Sequence, residues 1–159
     1  MMWAHLKAVI AAALDWVRST GVVAAPPVAR IALALPFLRS GLTRWDGLLA
    51  LSPATTFLFD EQFRLHVFGG AYGLPWPGLL AYMVGFAEIV LPVLLIIGLA
   101  TRLSALGLLL MTGVIQLVFP EGWANFHLYW AALALSVMAL GPGWLSLDYL
   151  FQLRRSSSG

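Results

Sequence analysis

Apolar stretches of bilayer length alternate with short turns along most of this chain. A spanning helix needs about 20 apolar residues, and four segments reach or approach that length: 27–45, 77–99, 103–119 and 123–140. Thr101-Arg102 and Pro120-Glu121-Gly122 are turns too short for anything but antiparallel hairpins, and Gly141-Pro142-Gly143 stops the last segment. The pattern predicts an all-α membrane protein, a four-helix antiparallel bundle. Three further pieces read as interfacial helices. In Met1–Arg18, Trp3, Leu6, Ile10, Leu14 and Val17 recur at helical spacing away from Lys7, Asp15 and Arg18. This piece is either an anchor on the membrane surface or an extension of the first span, with Pro26-Pro27 expected to break the chain after it.

The one long connector, Asp46 to Trp76, contains the second interfacial piece. Ser52-Pro53 is a helix start, an N-cap hydroxyl followed by proline at N1. Phe59, Phe63 and Val67 then form a stripe against Asp60, Glu61 and Arg64, which predicts a short Ser52–Phe68 helix over the mouth of the bundle. The third piece is Leu147–Arg155, capped by Ser146, and residues 156–159 read as a disordered tail. One domain, 1–155, accounts for the rest.

Composition agrees with the pattern. Hydrophobic residues make up 61% of the 159 and charged ones 10%, against roughly 25% charged in soluble domains. Mean hydropathy is +0.89. A net charge of +2 is too small to argue for nucleic acid. With no cysteine, the chain itself has no thiol–disulfide couple and no thiolate metal ligand. Lys7, Arg18, Arg30, Arg102, Arg154 and Arg155 fall on one side of the four spans, Arg44 and Arg64 on the other. That asymmetry puts both termini in the cytoplasm, with Arg30 snorkelling out of the first span.

Against this background, charged residues inside the spans stand out. Glu88 lies in the uncharged run from Trp76 to Ala100, where a carboxylate costs about 2.5–3.5 kcal/mol on insertion scales and so must face protein or trapped water. Arg39 poses the same problem in the first span. At 1.5 Å per residue, Arg39 lies about 9 Å below Trp45, Glu88 about 16 Å below Pro77, Gln116 about 4–5 Å below Phe119 and His127 about 6 Å below Trp123. Ala32, Pro36, Arg39 and Thr43 share one stripe, and Ala81, Gly85, Glu88 and Pro92 another. These depths and faces predict an Arg39–Glu88 ion pair. It is either a structural staple or part of a site for a quinone headgroup, or another small polar molecule, entering from the outer leaflet. No second histidine or carboxylate stands at ligand spacing, so no metal site is expected.

At these residues the chain resembles the DoxX family of small four-helix membrane proteins. The matching stretches include Phe37-Leu38-Arg39-Ser40-Gly41-Leu42-Thr43, Glu88-Ile89-Val90-Leu91-Pro92, Gly98-Leu99-Ala100-Thr101-Arg102-Leu103, Val114-Ile115-Gln116 and His127-Leu128-Tyr129-Trp130. Gly141-Pro142-Gly143 and Ser146-Leu147-Asp148 extend them. The resemblance implies a bacterial inner-membrane bundle. In the DoxD branch it implies a subunit of thiosulfate:quinone oxidoreductase, and elsewhere a membrane partner of redox or stress-defence proteins. No separate thiosulfate-binding motif is recognisable. The expectation is an inner-membrane subunit supporting quinone-linked redox chemistry with a protein partner or in a homo-oligomer. Glu88 and Arg39 are its candidate catalytic residues, and Gln116, His127, Trp130 and Thr43 its candidate quinone binders. The rival readings are a non-catalytic scaffold or anchor, and a small-solute carrier.

Overall fold

The computed structural model describes residues 2–156; residues 157–159 of the expected tail lie outside that range. Helix α1 runs Met2–Thr43 without interruption. It is followed by the short α2, Pro53–Phe57, which continues as a π-helical turn, Leu58–Gln62. A hairpin of β1, Arg64–Val67, and β2, Gly70–Gly73, precedes α3, Pro77–Ile97, and α4, Thr101–Val118. A 3-10 turn, Pro120–Gly122, and a π-helical turn, Trp123–His127, lead into α5, Leu128–Leu140; α6 is Leu147–Ser156. Among the described residues four helical segments are long and apolar enough to cross a membrane: His5–Thr43, Pro77–Ile97, Thr101–Val118 and Pro120–Leu140. Their apolar outer faces are exposed, as a lipid solvent requires.

Small residues let these helices meet. Leu33, Ala34 and Phe37 of α1 pack with Leu95 of α3, Ala105 and Leu108 of α4, and Ala134 and Val137 of α5. In lipid, association rests on such close packing because there is little hydrophobic drive between helices. The antiparallel register of α1 on α3 can be read from three facing pairs: Trp45 over Gly85, Gly41 over Glu88, and Arg30 over Gly98. A Cβ on Gly41 would lie 2.8 Å from the Glu88 carbonyl oxygen, and one on Gly85 2.9 Å from the Trp45 ring.

This register has a consequence for the shape of the bundle. Gly85 lies about 12 Å along α3 from Pro77, so α1 ends a long way below the start of α3. The 44–63 segment fills the space above it. Ser52 accepts a hydrogen bond from the Thr55 N–H at 3.2 Å, while the Thr55 hydroxyl and the Ser52 N–H both donate to the Arg44 carbonyl, at 3.1 and 2.8 Å. Such irregular backbone is tolerated at membrane depth where protein covers it.

Three local expectations are corrected. Pro26 and Pro27 lie inside α1 and do not break it. Each lacks an N–H for the carbonyl four residues earlier, but that turn is exposed, and Pro26 itself is buried against Gly143. Helix does not extend to Phe68: after Gln62 the chain forms the hairpin, pairing Arg64 with Gly73 and Val67 with Gly70. Its two-residue turn, Phe68-Gly69, has φ of +51 and +78, the signature of the turn type that matches strand twist. Arg30 does not snorkel. It is buried, and Nη2 donates to the Leu145 carbonyl in the link between α5 and α6.

Candidate functional site

Glu88 is 1% exposed, and its partner is Arg44. The guanidinium grips the carboxylate in two places, Nε to Oε2 and Nη2 to Oε1, the latter at 2.8 Å. The Ser40 hydroxyl donates to Oε1 at 3.2 Å. Arg39, the expected partner, is exposed. Helical phase explains the difference. The buried face of α1 carries Arg30, Leu33, Ala34, Phe37 and Gly41. Arg39 is two residues from both Phe37 and Gly41, about 200° around the axis and hence on the opposite side. The Ala32–Pro36–Arg39–Thr43 stripe therefore faces largely outward, and Arg39 is the residue that can reach the interface along the surface.

Height matters as much as phase. Side chains on a helix lean toward its N-terminus, so those of antiparallel α1 and α3 lean toward each other. Arg44, just past the last turn of α1, has its head directed down the bundle, and Glu88 leans up. Backbone depth alone does not reveal this. By sequence Arg44 is a charge at the outer end of the first span, and the one signal for its role is its place one turn beyond Ser40 and Gly41.

The ion pair forms part of the wall of a cavity of about 710 Å³ between α1, α3, α4, the start of α5 and the 54–63 segment. Its walls are largely apolar and include Leu80, Val84, Ile115, Val118 and Trp130. Phe59, Phe63 and Phe119 stack edge-on across its top, with centroid separations of 5.0 and 5.2 Å. The Arg44 guanidinium carbon lies 5.2 Å from the centre of the Phe59 ring, a cation–π contact that holds the arginine head from above.

His127 is the second polar feature of this cavity, 3% exposed. Its Nδ1 lies 2.6 Å from Gln116 Oε1, and Gln116 Nε2 donates to the Pro120 carbonyl at 3.0 Å. That second bond orients the amide with its oxygen toward the imidazole, so Nδ1 carries the proton and Nε2 is left as acceptor in the neutral ring. The π-helical turn inserts one residue into the helical repeat, and such turns recur at functional sites. Here both of them, at 58–62 and 123–127, contribute walls of this one cavity.

Of the six candidates, Glu88, His127, Trp130 and Thr43 line the cavity. Thr43 spends its hydroxyl on the Ser40 carbonyl at 2.8 Å. Gln116 stands behind His127 and orients it. Arg39 is remote, and Arg44 and Ser40 occupy the place expected for it.

Helices and site together define a multi-pass integral membrane protein whose spanning region holds a largely apolar cavity with an ion pair and an imidazole in its wall. The model of the DoxX family matches residues 25–121, more than half the chain, and the protein belongs to that family. The match begins at Ala25, next to Pro26, and ends at Glu121, before α5, so His127 and Trp130 stand outside it. Searches of curated proteins and of solved structures returned no match.

Proposed function

We propose that this protein is the membrane subunit of a quinone-linked redox system, binding the quinone headgroup in the cavity beside Arg44, Glu88 and His127. One observation carries the reading: an ion pair and an imidazole share a largely apolar cavity of about 710 Å³ at the depth of the spanning helices. Sites for small ligands run to about 300–1,000 Å³, apolar with a few placed polar groups. A headgroup with two carbonyls and an apolar tail fits such a lining.

When bound, a quinone carries two electrons and two protons, and the electrons have to come from a donor on a protein partner. The residues of this chain bind and orient. Both Glu88 oxygens are engaged by Arg44 and Ser40, so we assign Glu88 the task of positioning Arg44. Arg44 then presents the N–H groups of Nη1, which Glu88 and Ser40 do not take, toward a carbonyl oxygen. His127 Nε2, with its tautomer set through Gln116, accepts a proton from a hydroxyl or returns one. Phe59, Phe63 and Phe119 exclude water above the headgroup. The proposed setting is the bacterial inner membrane with both termini cytoplasmic, supported by the basic residues at the terminal end; reporter fusions near Pro53 and at the C-terminus should give opposite sides, and same-side signals overturn it.

Trp130 lines the cavity and supplies the readout. Titrating the purified chain in detergent with a short-tailed quinone should give saturable quenching of tryptophan fluorescence. The quenching should be reduced in Trp130→Phe, weakened at least tenfold in affinity in Arg44→Gln, and weakened in His127→Ala. Quenching that is unchanged in both Arg44→Gln and His127→Ala rejects the site and leaves the scaffold reading, in which Arg44–Glu88 only staples α1 to α3.

A further inference from the structure

The cavity around the ion pair changes character from its depth to its edge. Glu88 and His127 in its wall are buried, whereas Thr43 and Phe126, which also line it, are exposed, Phe126 to 57%. Helical phase explains this order on α1. Each three-residue step turns a helix back by about 60°. Phe37, Ser40 and Thr43 therefore climb α1 while rotating from core to surface, and they are buried, half-buried and exposed in turn. Facing them, half-buried Trp130 and exposed Phe126 repeat the gradient about one turn apart, with ring centroids 6.2 Å from each other.

The seam between α1 and α5 is shut where Phe37 meets Trp130, at 5.1 Å between centroids. Above that contact Ser40, Thr43 and Arg44 on one side, and Phe126 and His127 on the other, are walls of the cavity. Thr43 donates its hydroxyl to the Ser40 carbonyl at 2.8 Å, which takes that polar group out of the opening.

We infer that this seam is a lateral window, through which a ligand with a long apolar tail keeps its headgroup in the cavity and its tail in lipid. The inference rests on the quinone reading and specifies it: the headgroup lies between Arg44 and His127, which flank the seam, and an isoprenoid tail passes between Thr43 and Phe126. A cavity of about 710 Å³ holds a ligand of drug size, so a tail of membrane length has to leave it. The cavity also reaches the surface at Val114. That residue is two turns beyond Gly107, which faces Leu91 of α3, so it marks the α3–α4 seam. The α1–α5 seam is favoured because both polar groups offered to the headgroup flank it, whereas the hairpin lies against the outer end of α4, His66 Nδ1 being 3.3 Å from the Leu117 carbonyl.

A quinone with a diazirine in its tail, close to the ring, tests this on the wild-type chain in lipid nanodiscs. Photolysis and peptide mass spectrometry should place the label on Thr43 or Phe126. Excess tail-less quinone should lower that labelling at least fivefold, which separates the window from general lipid contact. Thr43→Phe, which narrows the opening from an exposed position, should weaken the tailed quinone at least fivefold relative to the tail-less one, whose saturable tryptophan quenching reports that the variant is folded. Competed labelling at Val114 moves the exit to the other seam and overturns the inference. So does labelling that tail-less quinone leaves unchanged while it still quenches, or an unaltered affinity ratio in folded Thr43→Phe. Absence of saturable quenching by either quinone in the wild type rejects the quinone reading itself, and the window with it.

Discussion

Gly41 of α1 packs directly against the backbone carbonyl of Glu88, where a Cβ would approach the oxygen to 2.8 Å. That carbonyl is the one Pro92, four residues on, has no N–H to bond. One proline and one glycine on different helices therefore set the height at which α1 meets α3. With Gly41 held there, Ser40 and Arg44 fall to either side of the Glu88 carboxylate, and the ion pair follows from the backbone fit.

Enlarging Gly41 should separate the two helices. Gly41→Val adds atoms where backbone, not a flexible side chain, stands in the way, and overpacking of this kind costs about 1–3 kcal/mol. Both the unfolding midpoint and the quinone quenching should fall. A variant that melts like the wild type would show that the two helices do not meet as closely as described.

Arg44 and Glu88 should be strongly coupled in unfolding, and Arg39 should not be coupled to either. Removing one partner of a buried pair costs about 3–5 kcal/mol because the other charge is stranded, whereas replacing both with apolar residues is far milder. A double-mutant cycle on Arg44→Met and Glu88→Leu, read by denaturant titration in mixed micelles, measures this. The parallel cycle with Arg39→Met is the control. Coupling of Arg39, in place of Arg44, would restore the pairing expected from sequence and refute the register.

Acid should loosen the α6 contact through Asp148. Burial by itself pushes this carboxyl up, but the Thr101 backbone and side chain, the Ala100 N–H and the Arg30 charge together hold it below the ordinary carboxylate value. A group depressed on folding contributes stability above its unfolded pKa and loses it as pH falls through the folded one. Melting temperature should therefore decline below about pH 4, and Asp148→Asn should start lower and flatten that decline. An unaltered acid profile in Asp148→Asn would exclude this carboxylate as the source.

The number and approximate extent of the spans, and Glu88 as the charge needing an internal partner, were legible in the sequence. A bilayer leaves few choices: length and apolarity decide what can cross, and a carboxylate at mid-helix must turn inward. Even the buried stripe of α3, Ala81–Gly85–Glu88–Pro92, could be drawn correctly, because its small residues repeat at helical spacing around one charge. The corresponding stripe of α1 could not. Two arginines, a serine and a threonine offered more than one plausible face, and an apolar residue on a membrane helix serves lipid and core equally well. Which arginine meets Glu88 depends on the sliding height of two antiparallel helices, and no local pattern encodes that height. It is decided where Gly41, Gly85 and Gly98 admit the opposing helix. The long connector showed the same limit, since a π-helical turn and a two-residue hairpin depend on what the chain covers. For that reason the Arg44–Glu88–His127 cavity exists only in the assembled bundle.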